Sequence, residues 1–178
     1  MPIDLFQSAT ETARAIRRKD LSAREVTEAL LGRIDSVGPQ LNAIVELRRD
    51  EALQAAKAAD DALAQGKDVG PLHGVPMTVK DAIDVAGLHT TWGNPGFADY
   101  IAPTDSAVAA RLKQAGAVII GKSNVAEMLA DFGQTTNRLY GATNNPWDLT
   151  RTPGGSSGGG AAAISAGLSF LEYGSDLV

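Results

Sequence analysis

Asp105-Ser-Ala-Val-Ala-Ala-Arg-Leu-Lys-Gln-Ala-Gly116-Ala-Val-Ile-Ile120-Gly-Lys-Ser-Asn124 carries the pattern that decides the fold. Val108, Leu112 and Ala115 recur at helical spacing behind Asp105, a capping residue type, and Gly116 is placed to stop the helix. Ala117 to Ile120 form a short apolar run of the kind buried on both faces of a parallel sheet. Asn124 is positioned to cap a further helix. Upstream, Met77-Thr78-Val79 reads as another short strand behind the turn-rich segment Pro71-Leu-His-Gly-Val-Pro76. Strand, helix and strand in this order predict an α/β fold with a mixed, largely parallel sheet flanked by helices.

The N-terminal region, residues 1–66, reads as helical and as part of the same domain as residues 67–178, since no linker separates them. Ser22-x-x-Glu25 is a capping-box signature, followed at helical spacing by Val26, Leu30, Leu31, Ile34 and Val37. Gly38-Pro39 is expected to end that helix. After a strand-like run, Asn42 to Leu47, the segment Glu51 to Gln65 places Ala52, Ala55, Ala56, Ala59 and Leu63 on one helical face, with Gly66 behind it as a stop.

Composition narrows the function. The 178 residues carry 16 Lys+Arg against 21 Asp+Glu, a net charge of −5, which argues against a nucleic-acid partner bound through its phosphates. With no cysteine, disulfide scaffolds, thiolate metal sites and cysteine nucleophiles are excluded. No apolar run approaches membrane-spanning length and the first twenty residues hold no apolar leader, so a cytoplasmic protein without a membrane partner is expected. His73 and His89 lie far apart with no acidic pattern around them, and no metal or other cofactor is expected.

Gly116-Ala-Val-Ile-Ile-Gly121-Lys122-Ser123 matches the phosphate-binding loop pattern G-x-x-x-x-G-K-[ST]. The context is wrong: the four residues between the glycines are the strand itself, so their N–H groups belong to a ladder rather than to a phosphate cradle. Pro153-Gly-Gly-Ser-Ser-Gly-Gly-Gly160 is a stronger feature. Composition alone leaves two readings of it open, a flexible linker or a tight turn entering the small-residue helix that begins near Ala161. In the second reading Ser156 and Ser157 are candidates for nucleophilic or proton-relay chemistry. Such a serine needs a base, and Lys80, at the end of a predicted strand, is the candidate; the competing reading is a solvated lysine paired with Asp81.

Gly74-Val-Pro-Met-Thr-Val-Lys80-Asp81, Gly121-Lys-Ser-Asn124, Tyr140-Gly-Ala-Thr-Asn-Asn-Pro-Trp147, Pro153-Gly-Gly-Ser-Ser-Gly-Gly159 and Gly174-Ser-Asp176 occur in that order. Together they resemble the amidase signature family. The resemblance implies a hydrolase of small carboxylic amides working through a serine, a second serine preceded by a cis peptide bond, and a lysine. Lys80 matches the lysine and Ser156 the bridging serine; Gly155, Ser157 and Asp176 match the supporting loop around the oxyanion.

The family pattern runs from Gly-Ser/Thr-Asp-x into Gly-Gly-Ser, whose serine is the nucleophile. Here Val178 stands where the first of those glycines belongs, and neither Ser157 nor Ser175 matches the nucleophile. The resemblance therefore implies the N-terminal portion of an amidase signature fold, incomplete and inactive by itself. Its unfinished sheet is expected to expose edges that invite association, which leaves a homodimer open. Two other readings stand beside the hydrolase: an amidotransferase-type subunit of the same family, and a non-catalytic binding or dimerisation module.

Overall fold

Residues 3–67 and 69–176 are described by a computed structural model. Two capping boxes start the first two helices. In α1 (Ala9–Arg17) Ser8 and Glu11 exchange bonds, and in α2 (Ala23–Leu41) Ser22 and Glu25 do the same. Helix α2 does not end at Gly38-Pro39: it continues to Leu41, and Asn42, left-handed at φ 50°, closes it with its N–H on the Gly38 carbonyl. Pro39 removes one bond near the end of the helix, and the carbonyl deprived of it, on Asp35, belongs to an exposed residue that water can reach. Strand β1 (Ile44–Leu47) and helix α3 (Arg49–Ala64) follow. Ala52 and Ala56 of α3 are buried and Ala59 and Leu63 half-buried, whereas Ala55 of the expected apolar face is exposed.

The remaining elements are β2 (Pro76–Lys80), α4 (Ala107–Gln114), β3 (Val118–Ser123), the short pair β4 (Thr136–Asn137) and β5 (Gly141–Ala142), α5 (Gly158–Ser165) and β6 (Glu172–Tyr173). The main sheet has the order β1-β3-β2-β6; β2 runs parallel to both β3 and β6, and β1 runs antiparallel to β3. This is the mixed, largely parallel α/β sheet read from residues 105–124.

Three local expectations are corrected. The cap of α4 is Ser106, whose Oγ accepts the Ala109 N–H, while Asp105 accepts from the Ala86 N–H and the Lys113 ammonium. Strand β3 extends past Ile120 through Gly121, Lys122 and Ser123, so these residues lie in a ladder between β1 and β2. Asn124 caps no helix. Its buried amide donates to the Gly141 carbonyl and to Thr143 Oγ1, and its Oδ1 accepts from Asn137, stitching the end of β3 to the β4–β5 pair.

The register between β2 and β3 matters for the site. It shifts between Met77 and Thr78, passing from Met77 opposite Ile119 to Thr78 opposite Gly121. Side chains alternate faces along a strand, so one skipped residue swaps the faces of everything after it. Beyond the shift Lys122 stands opposite Val79, on the face packed with Met77 and Ile119, and Ser123 stands opposite Lys80 on the other face. Two buried lysines on neighbouring strands are thus delivered to opposite sides of the sheet. The larger apolar core, built from α1, α2, α3, β1, β3 and α5, fills the face that bears Lys80.

Candidate active site

Lys80 is the last residue of β2, at the carboxyl end of parallel strands where α/β proteins form their sites. Its side chain is fully buried. Nζ lies 2.8 Å from Ser156 Oγ and 3.0 Å from the Ser175 carbonyl oxygen. Burial pushes the ammonium below its usual pKa, because a charge in a dry surrounding loses its hydration; the negative charges of Asp176 and Glu172 oppose the shift. Lys80 is not paired with Asp81. That carboxylate faces the other way and holds Lys122 at 3.5 Å, both side chains being buried, with the Thr91 N–H and hydroxyl as further donors.

Ser156 sits in the glycine-rich segment, which is a packed turn and not a linker. The Gly155–Ser156 peptide bond is cis. A Cβ on Gly155 would stand 2.5 Å from the Asp131 carbonyl oxygen and 2.6 Å from that of Gln134, so only glycine fits beneath that loop. Gly159, in the first turn of α5, lies so close to Asn124 that a Cβ would meet its backbone oxygen at 2.3 Å. The glycines let α5 press against the exit of β3, which brings Ser156 over the end of β2. The Ser156 carbonyl accepts the Ala126 N–H at 3.2 Å, and Thr135 Oγ1 donates to the Gly154 carbonyl at 2.7 Å.

Of the expected site residues, Lys80, Ser156 and Ser157 meet at one point. Ser157 Oγ donates to the Ser175 carbonyl at 3.1 Å, the same oxygen that Lys80 reaches. Asp176 follows in sequence, and its charge acts on Lys80. Gly155 supports the turn by close packing. Val178, which stands where the family pattern places the first glycine of its Gly-Gly-Ser, and Leu177 before it lie outside the described residues. Sequence reasoning missed the Ser175 carbonyl, Thr78, Ser123 and Glu172. Glu172 left a signal, a lone charge in the strand-like run Leu168 to Tyr173. The histidines lie elsewhere: His73 Nε2 bonds the Ala59 carbonyl, and His89 Nδ1 meets Glu46. Among the described residues no group of three or more His, Asp and Glu is placed to hold a metal ion, and no helix is long and apolar enough to cross a membrane.

Fold and site together define an α/β protein that seats a buried lysine on a serine at the carboxyl end of a parallel strand. The chain belongs to the amidase family, whose profile matches residues 25–177. It is 47% identical over 170 residues to the indoleacetamide hydrolase of Bradyrhizobium diazoefficiens, covering 96% of this chain and 32% of that protein. It is 43% identical over 171 residues to a glutamyl-tRNA(Gln) amidotransferase subunit of Carboxydothermus hydrogenoformans, covering 96% and 35%. A solved structure of fatty acid amide hydrolase superimposes with a TM-score of 0.92 at 32% identity, over 97% of this chain and 30% of that one. The chain spans about a third of the length of the curated relatives it matches.

Proposed function

We propose that this chain supplies the base relay of an amidase that hydrolyses small carboxylic amides. The observation that carries the reading is the 2.8 Å contact between the buried Lys80 Nζ and Ser156 Oγ. A neutral amine has two N–H donors and one lone pair. Lys80 then donates to the Ser175 carbonyl and accepts the Ser156 hydroxyl proton. Burial favours that neutral form.

In the proposed cycle Ser156 takes the proton of an attacking serine as it passes its own to Lys80. The attacking serine of this cycle is the last residue of the family's Gly-Gly-Ser pattern, which none of the described residues matches. The nucleophile adds to the amide carbonyl, the C–N bond breaks, and the relay returns the proton to the leaving amine. Water then enters and gives its proton to the same relay, the bond between the acyl carbon and the serine oxygen breaks to release the acid, and the relay returns the proton to that serine oxygen. Ser157 holds the Ser175 backbone in place beside the relay. Hydrolysis is favoured over tRNA-directed amide transfer because the net charge of −5 offers no counterpart to a phosphate backbone.

The test grafts residues 1–176 in place of the matching third of the Bradyrhizobium indoleacetamide hydrolase. The graft is expected to release ammonia from indoleacetamide, and Lys80→Met to lose at least about a thousandfold in kcat. A graft that folds and turns over equally well with methionine at position 80 overturns the reading.

A further inference from the structure

The turn that carries Ser156 meets one side chain on both of its arms. Thr135 Oγ1 donates to the Gly154 carbonyl at 2.7 Å and accepts the Gly158 N–H at 3.0 Å. A single hydroxyl thus spends its proton two residues before Ser156 and a lone pair two residues after it. The packing is built around that oxygen: Thr135 is fully buried, and a Cβ on Gly158 would stand 2.2 Å from Thr135 Oγ1.

Gly158 is also the first residue of α5, and the N–H groups at that end of a helix need acceptors from outside it. Ser157, in the capping position, makes no such bond, because its hydroxyl goes to the Ser175 carbonyl. Thr135 caps α5 in its place, from a segment more than twenty residues earlier. Ser157 is thereby left to hold the backbone oxygen that Lys80 also reaches. Thr135 is itself anchored. Its carbonyl accepts the Thr143 N–H at 2.9 Å, and the buried Thr143 hydroxyl donates to the Asn42 carbonyl at the end of α2.

We propose that Thr135, bridging Gly154 and Gly158 with one hydroxyl, is a positioning residue that sets Ser156 Oγ against Lys80 Nζ. The inference rests on the reading of Lys80 and Ser156 as the relay and adds the device that aligns it. The lysine comes to the contact on a strand of the main sheet, whereas the serine comes on a turn. Without the hydroxyl, the Gly154 carbonyl and the buried Gly158 N–H lose their common partner, and the turn shifts to find others. A misplacement of about 1 Å at a reacting contact is worth on the order of a hundredfold in rate.

The experiment follows the Lys80 side chain of the intact chain by NMR with labelled lysine, the signal assigned by its loss in Lys80→Met. Ser156→Ala removes the hydroxyl beside Nζ and marks where the signal lies without the contact. Thr135→Val, which keeps the shape and removes the hydroxyl, should move the Lys80 signal most of the way to that position. Thr135→Ser, which keeps the hydroxyl, should leave the signal where the unaltered chain has it. Ser22→Ala weakens the fold at the distant cap of α2 and should also leave the signal in place. If Thr135→Val does not fold, Thr135→Ala is read against Thr135→Ser in its stead. Three results overturn the proposal while leaving the relay reading intact: an unmoved signal in the folded variant without the hydroxyl, a Thr135→Ser signal lying with that of Ser156→Ala, or a Ser22→Ala signal displaced as far as that of Thr135→Val. A signal that Ser156→Ala itself does not move overturns the relay reading and the proposal with it.

Discussion

Lys122→Met removes one half of a charge pair that the fold has fully enclosed. The Lys122 and Asp81 side chains are 0% and 1% exposed and 3.5 Å apart. Lys122 also donates to the His89 carbonyl at 2.8 Å and to Thr90 Oγ1 at 3.1 Å. Taking away one member of a buried pair leaves the other charged in a dry surrounding, at a cost of roughly 3–5 kcal/mol, a large share of the 5–15 kcal/mol typical of a domain. With a urea slope of roughly 2 kcal/mol per molar, the midpoint should fall by about 2 M. Burial already raises Asp81 above the usual carboxylate range, and losing Lys122 raises it further. A raised carboxyl contributes stability at low pH that is lost as pH rises through its folded value, so the deficit of the variant should narrow in acid. The double variant Lys122→Met/Asp81→Asn removes both charges and should be more stable than Lys122→Met alone. Urea titration followed by the fluorescence of Trp92, whose backbone N–H donates to the Asp81 carbonyl, reads all of these. A cost below about 1 kcal/mol for the single variant, or a double variant that loses the sum of both singles, would refute the reasoning.

Further outcomes follow from single contacts. Gly159→Ala drives a Cβ into the Asn124 backbone and should cost about 3 kcal/mol or more, whereas Gly32→Ala in α2 meets nothing within 4 Å and should gain roughly 0.5–1 kcal/mol; thermal unfolding of the two tests the contrast. Glu172 raised from 4.5 to about 7 makes the chain lose stability as pH rises across that interval, by about 3 kcal/mol at most. Glu172→Gln should flatten that part of the stability profile, and parallel profiles for the two proteins would contradict it. Ser22→Ala removes the cap of α2 and should cost about 1 kcal/mol in the same assay.

What the sequence made legible was local. The helix and the apolar strand that follow one another in residues 105–124, the capping box at Ser22 and the stops at Gly66 and Gly116 all rest on short-range rules, and the last two have the positive φ expected of them. Where it misled, a tertiary partner had taken over. Asp105 leaves the cap to Ser106 because Ala86 and Lys113 claim its carboxylate, and Asn124 is drawn away from helix capping by Gly141, Thr143 and Asn137. The register shift after Met77 had no signature in the residues, yet it separates Lys80 from Lys122 across the sheet. Lys80, Ser156 and Ser157 are candidates from the strand end and the glycine-rich turn, and the motif resemblance assigns Lys80 and Ser156 their roles; the close approach of Gly155 and Gly159 to neighbouring backbone shows what holds Ser156 over Lys80. Glu172 went unnamed because its partners, Thr78 and Ser123, are distant in sequence and meet it only through the sheet.

The central claim, that Lys80 acts through Ser156, is tested most directly by a double-variant cycle on the indoleacetamide hydrolase graft. Lys80→Met, Ser156→Ala and the pair together are compared in kcat. If the two residues form one relay, the double variant loses no more than the worse single variant, because breaking either link already stops the proton. Losses that multiply would show two independent contributions and contradict the account.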